Sequence, residues 1–422
     1  MKRNIKGLIW VLAVIGFGVG LYGMYLRFST GHRLTNYGSY IPWGLWVAAY
    51  IYFIGLSAGS FLLSTLVYVA RIEKLEKIGK LALFTAFACL VAALISIWLD
   101  IGHEFRVYRV LFHPNFESMM SWMGILYSSY FLVILIELWF AMRVDLIATA
   151  GTGKGGSAFL AKVLSFGSND VSKEAKTRDA RVLRVLGVLG VPLAIAFHGG
   201  VGALFGVVGA RPHWHSGLTP IAFLVGALAS GGALFAVATY LWGGYEDKDQ
   251  LDDVMRFLGK VVLALVLFDF LLEISEILVG LYPGIPAESM PLKALLTGPH
   301  WYVFWIVHFL LGVVLPSFLL FKWAVPAGPS GRRAGGAVAV ACLLVVVTFL
   351  AVRLNIVIPA QINPEIAGLQ TAFTGPGLQY TYLPSAMEWL VSVWVTSFSV
   401  LLFLIGEKLL PIAGTENSEV AE

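Results

Sequence analysis

The sequence predicts an all-α polytopic membrane protein, and three observations predict it. Of its 422 residues 58% are apolar and 13% charged, against about 45–50% and about 25% in a soluble domain. The mean hydropathy is +0.82. The apolar residues gather into ten stretches of the length, roughly 20 residues, that a helix needs to cross a bilayer core. This composition excludes a water-soluble enzyme and a disordered chain, and two cysteines are too few for a disulfide-stapled domain.

The first stretch, 8–26, follows Lys2, Arg3 and Lys6. It has the charged and apolar regions of a signal peptide without a convincing small-residue cleavage site, and is read as a retained helix. The second, 42–70, starts at Pro42; the third, 79–99, runs into Asp100; the fourth, 120–142, holds Glu137 near its inner end, read as an inner step of proton transfer or, standing alone, as a snorkelling interfacial residue. A polar, basic segment over 143–182 is read as a flexible linker near anionic lipid, its GTGKGG string lacking the spacing of a phosphate loop. The remaining stretches are 183–207, 218–242, 256–280, 299–322, 335–353 and 385–410. Cys89 and Cys342 fall mid-helix with no second cysteine at metal-ligand spacing, which leaves no four-cysteine cluster.

Placing the N-terminus in the cytoplasm puts 22 of the 29 basic residues inside and 7 outside. That is the asymmetry of the positive-inside rule, so both termini are expected in the cytoplasm. The two halves also resemble each other. GLSAGSFLLSTLVYV from Gly55 and ALASGGALFAVATYL from Ala227 align at an offset of 172, which pairs Gly59 with Gly231 and Tyr68 with Tyr240. A parallel repeat of two four-helix bundles follows, flanked by the first and last helices. The expected units are 1–41, 42–207 (with the basic loop 143–182), 208–384 and 385–422.

All eight histidines fall in outer segments or outer helix halves. The seventh stretch carries Asp269, Glu273 and Glu276 at i, i+4 and i+7, three carboxylates on one face over about 10 Å. Such a ladder needs a polar interior; it suits proton transfer, or a structural cluster paired with Arg or His, and His308 and Arg353 are the expected neighbours. At the outer end of the third stretch, WLDIGHEFRVYRVLFHPNFESMMSW supplies Asp100, His103 and Arg106, followed by Trp122, Tyr127 and Tyr130. These are the residue types a quinone headgroup requires, or those of an interfacial belt. His198 stands beside Gly199 and Gly200; it is open to a structural role, a quinone contact, or haem ligation opposite His308. The string ARPHWHSG, with His213, Trp214 and His215, offers a poor metal site and otherwise a docking or capping element.

Four segments carry a resemblance to a known family: IPWGLWVAAYIYFIGLSAGSFLLS from Ile41, the LDIGHEFRVYRVLFHPNFESMMSW block, VPLAIAFHGGVGALFGVVGARPHWHSG from Val191, and RLNIVIPAQ from Arg353. The chain resembles the NrfD/polysulfide-reductase membrane subunits. It is most similar to ten-helix members of sulfite-reduction-associated and hydrogenase-type complexes, and similar also to the membrane subunits of alternative complex III. The resemblance implies a subunit without haem or iron–sulfur cluster in the cytoplasmic membrane of a bacterium or archaeon. It implies menaquinone or ubiquinone near the periplasmic face and electron exchange with a docked periplasmic ferredoxin-like iron–sulfur subunit. Further cytochrome or catalytic subunits are expected and nucleic acid is not.

On this reading Asp100, His103 and His198 handle the headgroup proton, and Trp43, Trp46, Arg106, Tyr130 and His198 contact the headgroup. Asp269, Glu273, Glu276, His308 and Arg353 form a proton-transfer track in the second bundle. A haem b cytochrome subunit and a secondary transporter are the alternatives.

Overall fold

The computed structural model describes residues 2–68, 73–152, 155–326 and 334–412, without the side chains of 65–68, 73, 74 and 152. Ten long helices account for most of them. They are α1 (Lys2–Thr30), α2 (Leu45–Tyr68), α3 (Gly79–Asp100), α4 (Met119–Thr152), α5 (Lys173–Gly206), α6 (Thr219–Trp242), α7 (Lys248–Leu281), α8 (Val303–Trp323), α9 (Gly335–Val357) and α10 (Ala386–Leu409). There is no strand among the described residues. Helices satisfy every backbone N–H and C=O internally, which hydrocarbon demands. Eight of the ten, all but α4 and α7, are long and apolar enough to cross a membrane.

The helix limits follow local chemistry. Ser172 caps α5 by accepting from the Ala175 amide, Pro220 occupies the first turn of α6, and Asp247 caps α7. Ser385 and Glu388 form a reciprocal capping box on α10. The first part of α8, Val303–Val314, is π-helical and ends two residues before Pro316, which has no amide to donate.

Helices α2, α3, α4 and α5 contact one another in a closed ring, as do α6, α7, α8 and α9. The rings meet mainly along α2 and α6, with α9 also touching α2. Helix α1 pairs with α10, and α10 rests on α3. At Gly20 an added Cβ would lie 2.6 Å from the Trp394 Cα, so only glycine allows α1 this close to α10.

The segment 143–182 differs from the expected linker. Helix α4 runs on to Thr152, a further helix covers Gly155–Leu164, and α5 starts at Lys173. The extensions are clamped together: Arg143 Nε donates to Asp179 Oδ2 at 2.6 Å and its Nη1 donates to the Asp170 carbonyl at 2.8 Å. Trp139 also donates to the Leu164 carbonyl. Gly153 and Lys154 of the GTGKGG string lie outside the described residues, as does the side chain of Tyr68. Glu137 also differs from expectation: it is buried beside Phe61 and Gly190 rather than reaching for an interface.

The loops joining α1 to α2, α3 to α4, α5 to α6 and α9 to α10 pack together at one end, here called outer after the charge pattern. Trp43 stacks on Trp214 at 5.2 Å, Tyr40 on Tyr380 at 4.7 Å, and Arg27 reaches the carbonyls of Leu99 and Ile101.

Candidate functional site

A cavity of about 430 Å³ lies at the outer end of the first ring of helices. Its walls come from the start of α2 (Trp43, Val47, Tyr50), the end of α3 (Leu94, Ile97, Asp100), the start of α4 (Met123, Tyr127, Ser128) and the end of α5 (Leu204, Phe205). The loop after α3 closes it with Val107, Tyr108, Val110 and Leu111. The lining is mostly aliphatic and aromatic, and the edge of Phe205 holds the Trp43 ring at 5.1 Å. Two polar atoms in this wall, Asp100 Oδ1 and the Tyr127 hydroxyl, are buried without a hydrogen-bond partner. A buried polar group left unpaired costs about 1–3 kcal/mol, so the pair fits a ligand that brings hydrogen-bonding groups of its own.

Asp100 is held from behind. The Tyr37 hydroxyl lies near its carboxylate and is 2.6 Å from His32 Nδ1. Burial, and next the Arg27 charge, lower the His32 pKa, while burial and next Asp100 raise that of Tyr37. Both rings pack on Trp46, which itself donates to the Glu388 carbonyl at 3.0 Å. Glu388 is fully buried and accepts from the Asn36 amide and from the Tyr382 hydroxyl, which also accepts from the Leu45 amide. The capping residue of α10 therefore fixes the entrance to α2.

Of the residues expected at this site, Trp43 and Asp100 line the cavity and the others do not. Trp46 packs behind it, with Tyr37 and His32. His103 and Arg106 are exposed on the short turn that follows α3. Tyr130 stacks on Phe197 deeper in the ring, at 4.8 Å. His198 is fully buried there, and neither of its ring nitrogens has a partner. Tyr127 belongs to the segment expected to supply headgroup partners, though not to the contacts named from it; Tyr50 was not expected, its signal, an aromatic residue one to two turns inside a helix start, being common in membrane helices.

The acidic ladder is brought together with its expected neighbours. Asp269, Glu273, Glu276 and Arg353 line one narrow cavity of about 70 Å³. His308, on the π-helical part of α8, pairs with Glu273 at 2.6 Å between Nε2 and Oε2. The Arg353 guanidinium is buried at the junction of the two rings, near Gly55 of α2 and Gly226 of α6, with the rings of Phe223 and Phe349 at 5.1 and 5.4 Å. His213 lines this cavity too, and also a second one of about 420 Å³ that carries Arg211 and its ion-pair partner Glu365. Burial pushes the His213 pKa down to about 4.

The family model described as polysulphide reductase, NrfD matches residues 33–365. The chain belongs to the NrfD family. One NrfD-like relative, a selenate reductase subunit of Mesobacillus selenatarsenatis, is 39% identical over 93% of this chain and 91% of its own. The integral membrane subunit of an Hdr-like menaquinol oxidoreductase from Archaeoglobus fulgidus is 27% identical over 95% and 92%. The integral membrane subunit of a menaquinone reductase from Nitratidesulfovibrio vulgaris is 23% identical over 96% and 92%. With its apolar helices, this NrfD member is a multi-pass membrane protein.

Proposed function

We propose that this chain is the quinone-binding membrane subunit of a respiratory electron-transfer complex, with menaquinone or ubiquinone in the 430 Å³ cavity. The observation that carries the reading is the pairing of an apolar cavity with two unpartnered polar atoms, on Asp100 and Tyr127. A quinone ring offers two carbonyl oxygens to such groups and an isoprenoid tail to the aliphatic wall. The names of the Archaeoglobus and Nitratidesulfovibrio relatives point the same way.

Bound there, a quinone supplies two-electron, two-proton redox chemistry. Trp43, held by the edge of Phe205, would wall the ring space, Tyr127 would donate a hydrogen bond, and Asp100 would take or give a proton. All ten long helices cross the membrane in this reading, as two four-helix bundles flanked by α1 and α10, with both termini cytoplasmic. The loop that closes the cavity turns Phe105 and Phe112 outward, which supports a periplasmic iron–sulfur partner docked above it.

Asp269, Glu273, Glu276, His308 and Arg353 make up the proton-transfer track of the second bundle. The support is that Asp269, Glu273, Glu276 and Arg353 line one narrow cavity with His213, while His308 pairs with Glu273.

The test is extraction of the purified complex followed by titration with menadione. Bound isoprenoid quinone, together with menadione binding weakened by Asp100→Asn, supports the proposal. A haem absorption band assigned to this chain, or menadione binding indifferent to the substitution, refutes it.

A further inference from the structure

A second apolar cavity, of about 460 Å³, lies at the outer end of the other ring of helices, between α8, α9 and the start of α10. Val303 and Val307 of α8 and Val347, Leu350, Leu354 and Ile358 along α9 form its aliphatic wall. No Lys, Arg, Asp or Glu lines it among the described residues. From Val347 to Ile358 the chain rises about 16 Å, so the cavity is long as well as apolar. Val347, Leu383 and Trp389 are exposed in its wall, which opens the cavity toward the lipid-facing flank.

The outer end of the cavity is aromatic and polar. His300, Tyr302, Tyr382 and Trp389 line it, with the rings of His300 and Tyr302 edge to face at 6.3 Å. His300 Nε2 meets the Tyr382 carbonyl oxygen at 3.0 Å, and the ring makes no other hydrogen bond among the described residues. A carbonyl only accepts, so Nε2 carries the hydrogen, and in the neutral imidazole Nδ1 is left as an acceptor. His300 is half-buried and lines an outer cavity of about 760 Å³ as well. Asn355, on the same wall and almost wholly buried, has an amide nitrogen without a partner.

We propose that this cavity is a second ligand site, separate from the 430 Å³ chamber, and that it takes the reduced headgroup of an isoprenoid quinol. An aromatic diol supplies what the wall lacks: a hydroxyl that donates to His300 Nδ1, and an oxygen that accepts from the Asn355 amide. Its ring matches the aromatic end and its tail the aliphatic run toward Val347. An oxidised quinone only accepts, which leaves Nδ1 unserved. A phospholipid carries a phosphate that calls for cationic side chains, and this wall has none. The site stands on these residues alone and does not require that the 430 Å³ chamber be filled.

The test is photolabelling of the purified complex, under anaerobic conditions, with a menaquinone analogue that carries a diazirine on its tail, followed by peptide mapping. Cross-links within 294–307 and 347–358 are expected, and the reduced probe should give them at least about threefold more strongly than the oxidised one, the worth of one hydrogen bond. Ala351→Phe and, independently, Ala294→Phe put a ring into the cavity and should abolish these cross-links while the unfolding midpoint in detergent holds. Absence of label from both segments overturns the proposal, as does equal labelling by the two redox forms. Label displaced by vesicles of phosphatidylglycerol but not by unlabelled menaquinol overturns it too, and makes the occupant a phospholipid. Cross-links in α2 to α5 report on the 430 Å³ chamber separately: their absence beside labelled α8 and α9 refutes the first site and leaves the second.

Discussion

Gly59 and Gly231 meet backbone to backbone where α2 crosses α6: a Cβ added at Gly231 would stand 2.5 Å from the Gly59 Cα and 2.7 Å from the Leu56 carbonyl oxygen and the Ser60 nitrogen. The sequence alignment at an offset of 172 residues pairs the two. The contact is sealed by Ser60 Oγ donating to the Gly231 carbonyl at 3.2 Å. Lipid supplies no hydrophobic drive between helices, so close packing and such hydrogen bonds carry the association. The same offset pairs Tyr50, in the wall of the 430 Å³ cavity, with Ala222, in the wall of the acidic one. The two aligned positions line different environments, an apolar chamber and a charged crevice.

Gly231→Leu is therefore expected to destabilise the protein by at least about 1–3 kcal/mol, the usual cost of overpacking, because the obstructing atoms belong to the backbone and have nowhere to move. Thermal unfolding in detergent measures it. An unchanged midpoint would mean that the α2–α6 crossing is looser than described.

Arg143→Met should cost about 3–5 kcal/mol. Arg143 and Asp179 are both almost wholly buried, with side-chain exposures of 2% and 6%, and the substitution leaves the aspartate charge without its main partner. The double variant Arg143→Met, Asp179→Leu should recover much of the loss. Unfolding midpoints of the three variants measure the coupling.

The helical pattern was readable because an apolar run of ~20 residues has only one way to satisfy its backbone in lipid, and eight of the long helices are long and apolar enough to cross a membrane. All ten expected runs coincide with long helices. The 143–182 segment was not readable, since its helices depend on the Arg143–Asp179 clamp and on Trp139 rather than on apolar periodicity. At the site, Asp100 and Trp43 were legible as a carboxylate ending an apolar helix and an aromatic opening one. His198 and Tyr130 share those residue types yet sit deeper, and only the packing of Phe197 and Phe61 around Tyr130 reveals it. His32 and Tyr37 carried no local signal, because their nearness to Asp100 brings the loop between α1 and α2 to the end of α3.

His213 gives a stability signature in acid. Its folded pKa of about 4 lies below the ordinary histidine value of 6.5, so between those pH values the unfolded chain binds a proton that the folded chain refuses. The contribution of this group is fully retained above pH 6.5 and is lost as the pH falls toward 4, by up to about 3 kcal/mol. His213→Gln should flatten that part of the profile. Unfolding midpoints from pH 7.5 to 4.5 test it, and parallel curves for the two proteins would place His213 in contact with water.

Ser128 lines the 430 Å³ cavity one turn beyond Gly124, its hydroxyl donating to the Gly124 carbonyl at 2.9 Å. Ser128→Phe puts a ring into the chamber and should lower menadione affinity at least tenfold while the unfolding midpoint stays put. Tyr127→Phe should do less: it removes one hydrogen-bond donor, worth about 0.5–1.5 kcal/mol or roughly 3- to 10-fold in affinity. The order matters more than either figure, because a ligand held in this chamber must feel lost volume before a lost hydroxyl. Should Tyr127→Phe weaken binding while Ser128→Phe leaves it intact, the ligand occupies another part of the bundle.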